Sequence, residues 1–243
     1  MPAHIEGPPP NPVTLGDHVF QPLRPVRAVF FDFGHTLFDT ASSVAFLVRE
    51  SAALGSPIPA DVAERLWSDG RARSRTPEEM AKGRDLGPEL HRSCWLAIWS
   101  DLDVLCPGIT ERLYVFETTA AGWEPYIDTR GVLDELVRRR VPMAVISDTG
   151  WDLRPLFEHH DLSRYFATFV MSYQHGVTKP APVLFETACE RLGVAPAEAL
   201  MVGDNHRNDG GAIDAGVRAL LLPLVPSGTS RGLASVLGVL DAA

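Results

Sequence analysis

From residue 26 to 33 the chain reads VRAVFFDF, a short β-branched and aromatic run that meets its first acid at Asp32. Such a run predicts a strand buried on both faces, as in a parallel sheet. Over 40–123 the pattern changes: apolar positions recur every three or four residues in 44–54, 62–67, 90–102 and 109–121. That spacing predicts about four helices with no strand between them. After Thr129 the two patterns alternate, with helices expected at 131–140, 153–159, 182–192 and 210–215 and strands at 143–147, 169–172, 200–203 and 219–222. Alternation of this kind gives an α/β fold, a Rossmann-like doubly wound parallel sheet. The core then comprises 24–39 and 124–243, and 40–123 is an inserted helical domain directly after the first strand. Residues 1–23 hold six prolines and little periodicity. They are expected to form a loose arm.

Composition narrows the partners. Lys plus Arg total 22 against 31 for Asp plus Glu, a formal charge of −9, and the only lysines are Lys82 and Lys179. The even positive field that nucleic acid or anionic lipid requires is missing. Three scattered cysteines, Cys94, Cys106 and Cys189, form no disulfide framework and no zinc spacing. With no signal-peptide pattern and no apolar run of about 18 residues, a soluble cytoplasmic protein is expected. The tryptophan-rich insertion can bury itself or a second copy, so a monomer or a homodimer is expected.

In an open parallel sheet ligands bind beyond the carboxyl ends of the strands. Asp32 follows the first strand, Ser147 and Asp148 the second, and Asp204 the fourth, while Lys179 lies on the loop leading out of the third. Several acids at one edge need a counter-charge, and a hard divalent cation such as magnesium fits oxygen donors beside a phosphate. An Asp so placed can act as a nucleophile. Lys179 and Ser147 can steady the added negative charge.

Asp32-Phe-Gly-His-Thr36-Leu37, Val145-Ile-Ser147-Asp148, Gly176-Val-Thr-Lys179-Pro180 and Val202-Gly203-Asp204 with Asp209 resemble the four ordered motifs of the haloacid dehalogenase (HAD) superfamily. The insertion resembles the mobile cap of its helical-cap subgroup. The resemblance implies a hydrolase, with a phosphatase as first expectation and a small phosphorylated metabolite as substrate. It implies that Asp32 is nucleophile and magnesium ligand, that the Gly34 carbonyl and Asp204 are further ligands, and that Asp209 supports the metal directly or through water. Ser147 and Lys179 would bind the transferring phosphoryl group, with Thr36 and Asp148 beside the substrate.

Two positions depart from that pattern. The phosphatase pattern has a second Asp two residues after the nucleophile, as acid for the leaving oxygen and base for water; here that position is Gly34. A positioned acid or base is worth about 10²- to 10⁴-fold. The chain can act on acyl or aryl phosphates, which need no proton, or draw a proton from His35, Asp39 or a cap residue. It can also do other chemistry, as a phosphonate hydrolase using Lys82 or a dehalogenase, or be a catalytically weak binding or regulatory protein. Dehalogenases of the superfamily tend to lose the fourth motif's acids, whereas Asp204 and Asp209 are present. Asp148 stands where Asn is more usual; facing the substrate, its charge would favour a neutral or cationic leaving portion. Arg71, Arg73, Arg75 and Arg84 are either a solvated helix face or a grip on a second anionic group. Trp67, Trp95, Trp99 and Trp123 are cap or hinge packing, or an aromatic pocket. His159, His160, His175 and His206 show no metal-ligand spacing, and His175 and His206, close to the third and fourth motifs, are secondary candidates for contact with the substrate.

Overall fold

The computed structural model describes residues 24–241, preceded by two short strands, β1 (Val13–Leu15) and β2 (His18–Phe20), that pair antiparallel. The arm expected over 1–23 otherwise lies outside the described residues. The main sheet has five parallel strands, β3 (Ala28–Phe31), β6 (Met143–Ser147), β7 (Thr168–Met171), β8 (Ala199–Gly203) and β9 (Arg218–Leu221), in the order β7-β6-β3-β8-β9. The chain winds outward from β3 in both directions, so β3 lies beside the switch point where ligands bind in such sheets.

Alternate residues of the central strands face two separate cores. Val29, Phe31, Met143, Val145, Leu200 and Val202 join a cluster with α7 (Thr129–Arg138), α8 (Arg154–His159) and α11 (Ser235–Asp241). Ala28, Phe30, Ala144, Ile146, Ala199 and Met201 join the opposite one, under α10 (Pro182–Leu192). Burial on both faces explains why these strands read as unbroken apolar runs. Each fully buried Leu, Val or Phe contributes about 1.5–3 kcal/mol.

Between β4 (Phe38–Thr40) and β5 (Trp123–Pro125) lie six helices: α1 (Ser43–Ala53), α2 (Ala60–Arg73), α3 (Pro77–Ala81), α4 (Pro88–Ile98), α5 (Asp101–Leu105) and α6 (Ile109–Glu117). They close over their own core of Leu47, Ile98, Trp99, Leu102, Ile109 and Leu113. The strands β4 and β5 pair antiparallel, Asp39 opposite Glu124. Both chain crossings between the two bodies therefore run through one ribbon. The expected boundaries near 39 and 123 fall inside it.

Several elements differ from the sequence reading. The helix expected at 90–102 is two, because the chain turns at Trp99-Ser100. The segment 210–215 is a 3-10 turn, where Gly211 lies so close to Pro180 that a Cβ would sit 2.1 Å from its ring. The third sheet strand ends at Met171, and Ser172 opens a short helix, α9 (Ser172–His175). The cysteines are buried and unpaired. Among the described residues no helix is long and apolar enough to cross a membrane.

Candidate active site

Asp32 leaves β3 at the centre of the sheet edge, and its backbone N–H donates to Val202 (2.9 Å). Beside it Lys179 is 4 % exposed and donates from Nζ to Asp32 (2.7 Å), Asp209 (2.6 Å) and the Ile146 carbonyl (3.1 Å). One ammonium thus joins the first, second and fourth strand ends. Asp209 is fully buried and its other oxygen accepts from the backbone N–H of Asp204 (3.1 Å) and Asn205 (2.9 Å). A Cβ at Gly203 would collide with that carboxylate at 2.1 Å, which is why the fourth motif needs glycine there.

Asp32, Asp204 and Asp209 each offer an oxygen, and these lie within 4.8 Å of one another. Burial pushes the Asp32 carboxyl up to about 7; Lys179 opposes this, while Asp209 and Asp204 add to it. Burial likewise raises Asp204. The edge is short of positive charge even with Lys179 in place, and all-oxygen donors with excess negative charge fit magnesium. Thr36 is fully buried with its hydroxyl unpartnered. Ser147 closes β6 and is 3 % exposed.

Asp148 has a different surrounding from the substrate-facing one considered above. One oxygen accepts from the Lys179 backbone N–H (2.7 Å) and the other from the Asn208 side chain (2.8 Å). Both oxygens are engaged in tying the third motif's loop to the fourth's. Asn208 is not among the residues the sequence picks out; its place next to Asp209 is the one local signal for it.

At Gly34 a Cβ would meet the indole of Trp123 at 3.3 Å. That ring packs on Phe33 (centroids 4.5 Å apart) and its Nε1 donates to the Glu117 carbonyl (2.7 Å). The direction in which a side chain would leave position 34 is therefore crowded by Trp123 of the ribbon. His35 takes φ 56° and its ring lies near Trp123; burial lowers its pKa. Its carbonyl accepts from Arg231, a 1 % exposed residue whose guanidinium also binds the Leu222 and Pro223 carbonyls. Nothing in the local sequence around Arg231 signals that role. Asp39 sits in the ribbon, accepting from the backbone of Thr40 (2.9 Å) and Gly228 (3.3 Å). Lys82 is exposed and bound to Glu79 (2.6 Å). His206 is exposed, and His159 and His160 pack edge-to-face beside Phe38, on the ribbon.

The sequence model of the haloacid dehalogenase-like hydrolases matches residues 26–216, which span Asp32, Ser147, Asp148, Lys179, Asp204, Asp209 and the insertion. The chain belongs to that family. The HAD-like hydrolase is 39% identical over 97 residues to a phosphoserine phosphatase of Thermus thermophilus, covering 39% of each chain. Against that relative it spans well under half the length. It is 27% identical over 192 residues to a phosphoglycolate phosphatase of Photorhabdus laumondii, covering 77% of this chain and 75% of that one. Solved structures with the same fold include a 2-haloacid dehalogenase from Pseudomonas syringae (TM-score 0.57, 24% identity, 89% and 99% covered). A HAD phosphatase from Thermococcus onnurineus is as similar (TM-score 0.58, 23% identity, 88% and 98% covered). At these identities the two show the fold alone.

Proposed function

We propose that this hydrolase is a magnesium-dependent phosphatase of the helical-cap kind, acting on a small phosphorylated metabolite through an aspartyl phosphate on Asp32. The observation that carries the reading is the convergence of Asp32, Asp204 and Asp209 within 4.8 Å around Lys179. Dehalogenation needs no such set of acids. Asp32, the Gly34 carbonyl and Asp204 would hold the ion. Asp209, with both oxygens engaged, would act through water. Bound there, magnesium would offset charge on the phosphoryl oxygens.

Asp32 attacks phosphorus through a carboxylate oxygen, the ester or anhydride P–O bond breaks, and the leaving oxygen keeps the electron pair. Water then attacks phosphorus, releasing phosphate and restoring the Asp32 carboxylate. Lys179 positions the nucleophile, and the hydroxyls of Ser147 and Thr36 donate to the phosphoryl group. With Trp123 against Gly34, no acid stands where the leaving oxygen is usually protonated. Acyl and aryl phosphates, whose leaving groups need no proton, are therefore the favoured class.

The test is magnesium-dependent phosphate release from alkyl, aryl and acyl phosphates, with Asp32→Asn as blank. Turnover of aryl and acyl esters well above alkyl esters, absent in the blank, is expected. Equal activity in the blank overturns the reading.

A further inference from the structure

The insertion's four candidate arginines separate in the fold. Arg73 turns outward to Asp101 (3.3 Å), and Arg75 is exposed. Arg71 and Arg84 turn inward onto aromatic rings. The Arg71 guanidinium lies over Trp67 (5.8 Å) and Trp95 (5.7 Å), and that of Arg84 over Trp95 (4.7 Å). Arg84 gives Nη1 to the Ser74 carbonyl (2.7 Å) and Nη2 to the Met80 sulfur (3.7 Å), and its Nε pairs with the Asp85 carboxylate at 3.6 Å without a hydrogen bond. Arg71 makes no ion pair and no side-chain hydrogen bond among the described residues. Glu117, the acid near it, has Oε1 taken by Ser43 (2.7 Å) and Trp67 (3.1 Å).

Contacts link this pair to the strand ends: Trp67, under Arg71, donates to the Glu117 carboxylate (3.1 Å), and the Glu117 carbonyl accepts from Trp123 (2.7 Å), the ring against Gly34. Arg71 and Arg75 are close enough to His35 for their charges to lower its pKa, after burial. Next to Arg84 the Asp85 carbonyl accepts from Ser172 (2.6 Å), and His91 packs on Gly150, two residues past Asp148. The Arg71 guanidinium is half-buried and hydrogen-bonded to no anion among the described residues, which leaves its desolvation uncompensated. Stacking on rings holds it flat while its in-plane N–H groups stay open for a two-point oxyanion contact.

We infer that Arg71, with Arg84 beside it, forms an oxyanion subsite for a carboxylate or second phosphate on the leaving portion of the substrate. The inference rests on the phosphatase reading. The substrate class becomes a phosphate ester or anhydride with a second anion at its far end.

Turnover is compared for para-carboxyphenyl phosphate, hydroquinone bisphosphate and the neutral para-carbamoylphenyl phosphate. The wild type is expected to prefer the anionic esters in kcat/KM, and Arg71→Met to reduce that preference by about 10- to 100-fold. Arg71→Lys, which keeps the charge and loses the fork, should retain part of it. Which anionic ester leads separates carboxylate from phosphate. The same ratios are read as affinities on Asp32→Asn by tryptophan fluorescence. If no ester turns over, the phosphatase reading fails while these affinities still decide the subsite. A wild type without preference, or a preference unchanged in Arg71→Met, overturns the inference.

Discussion

At the strand ends, Asp32, Asp204 and Asp209 crowd together with one lysine bonded to two of them; in the insertion, Arg71 and Arg84 stack on Trp95 near Glu117 and Asp85. The floor is anchored by the backbone: Asp209 accepts two N–H groups, Asp148 a third, and Lys179 donates to a carbonyl. The roof is anchored by aromatic faces, and Arg71 spends no side-chain donor among the described residues. A floor whose Lys179, Asp209 and Asp148 are held by hydrogen bonds suits chemistry that is the same for every phosphoryl group, since preorganised charge costs nothing to rearrange during reaction. An under-bonded roof suits recognition of what differs between substrates.

Removing the floor's nucleophile should have the largest effect. Asp32→Asn is expected to lower kcat by on the order of 10⁴-fold or more, read as phosphate release. Lys179→Met strands Asp209 as a buried charge without its ion partner. A loss of about 3–5 kcal/mol in urea unfolding is expected.

The roof has its own titration. Trp95 donates to Nε2 of His91 (3.0 Å) and Nδ1 faces the Tyr114 hydroxyl (3.1 Å), so the ring is held neutral. Burial pushes its pKa down to about 4. A folded pKa below the unfolded 6.5 gives stability that is present above pH 6.5 and lost as pH falls toward 4, roughly 3 kcal/mol in all. Asp85, raised to about 6 mainly by burial, works in the opposite direction. The difference between wild type and His91→Gln, followed by thermal unfolding from pH 7 to 4, isolates the histidine. A flat difference would break this part of the comparison.

Where floor and roof meet, Trp123 fills the slot of the absent acid. Gly34→Asp alone is expected to add little alkyl-phosphate turnover, because the new side chain meets the indole. Gly34→Asp/Trp123→Leu should exceed it by about 10²-fold. The smallest effect belongs to the roof's outer surface: breaking the Arg92–Glu111 pair with Arg92→Ala should cost under about 1 kcal/mol.

The floor was legible in the sequence because every member sits at a strand end or the loop after it, and buried parallel strands announce themselves as apolar runs. The roof was not. Helical periodicity gives a buried stripe without its direction, so Arg71 and Arg73, two residues apart, could not be told inward from outward. The contact of Trp123 on Gly34 joins positions far apart in sequence, and Arg231 lies in a Gly- and Ser-rich stretch beyond the family match. The spacing over 210–215 predicts an α-helix where the chain makes a 3-10 turn; the close approach of Gly211 to Pro180 is a tertiary fact that no local pattern carries.

The most direct test of the central claim is to quench the enzyme in acid during turnover of an acyl phosphate with magnesium present, and to weigh the peptide containing Asp32. The acid that protonates the leaving group is also the usual base for water, so its absence at Gly34 should slow the second step and let the aspartyl phosphate accumulate. The account predicts a peptide heavier by one phosphoryl group in the wild type and unchanged in Asp32→Asn. Phosphate release with no adduct at any quench time, or with the adduct on another residue, would contradict it.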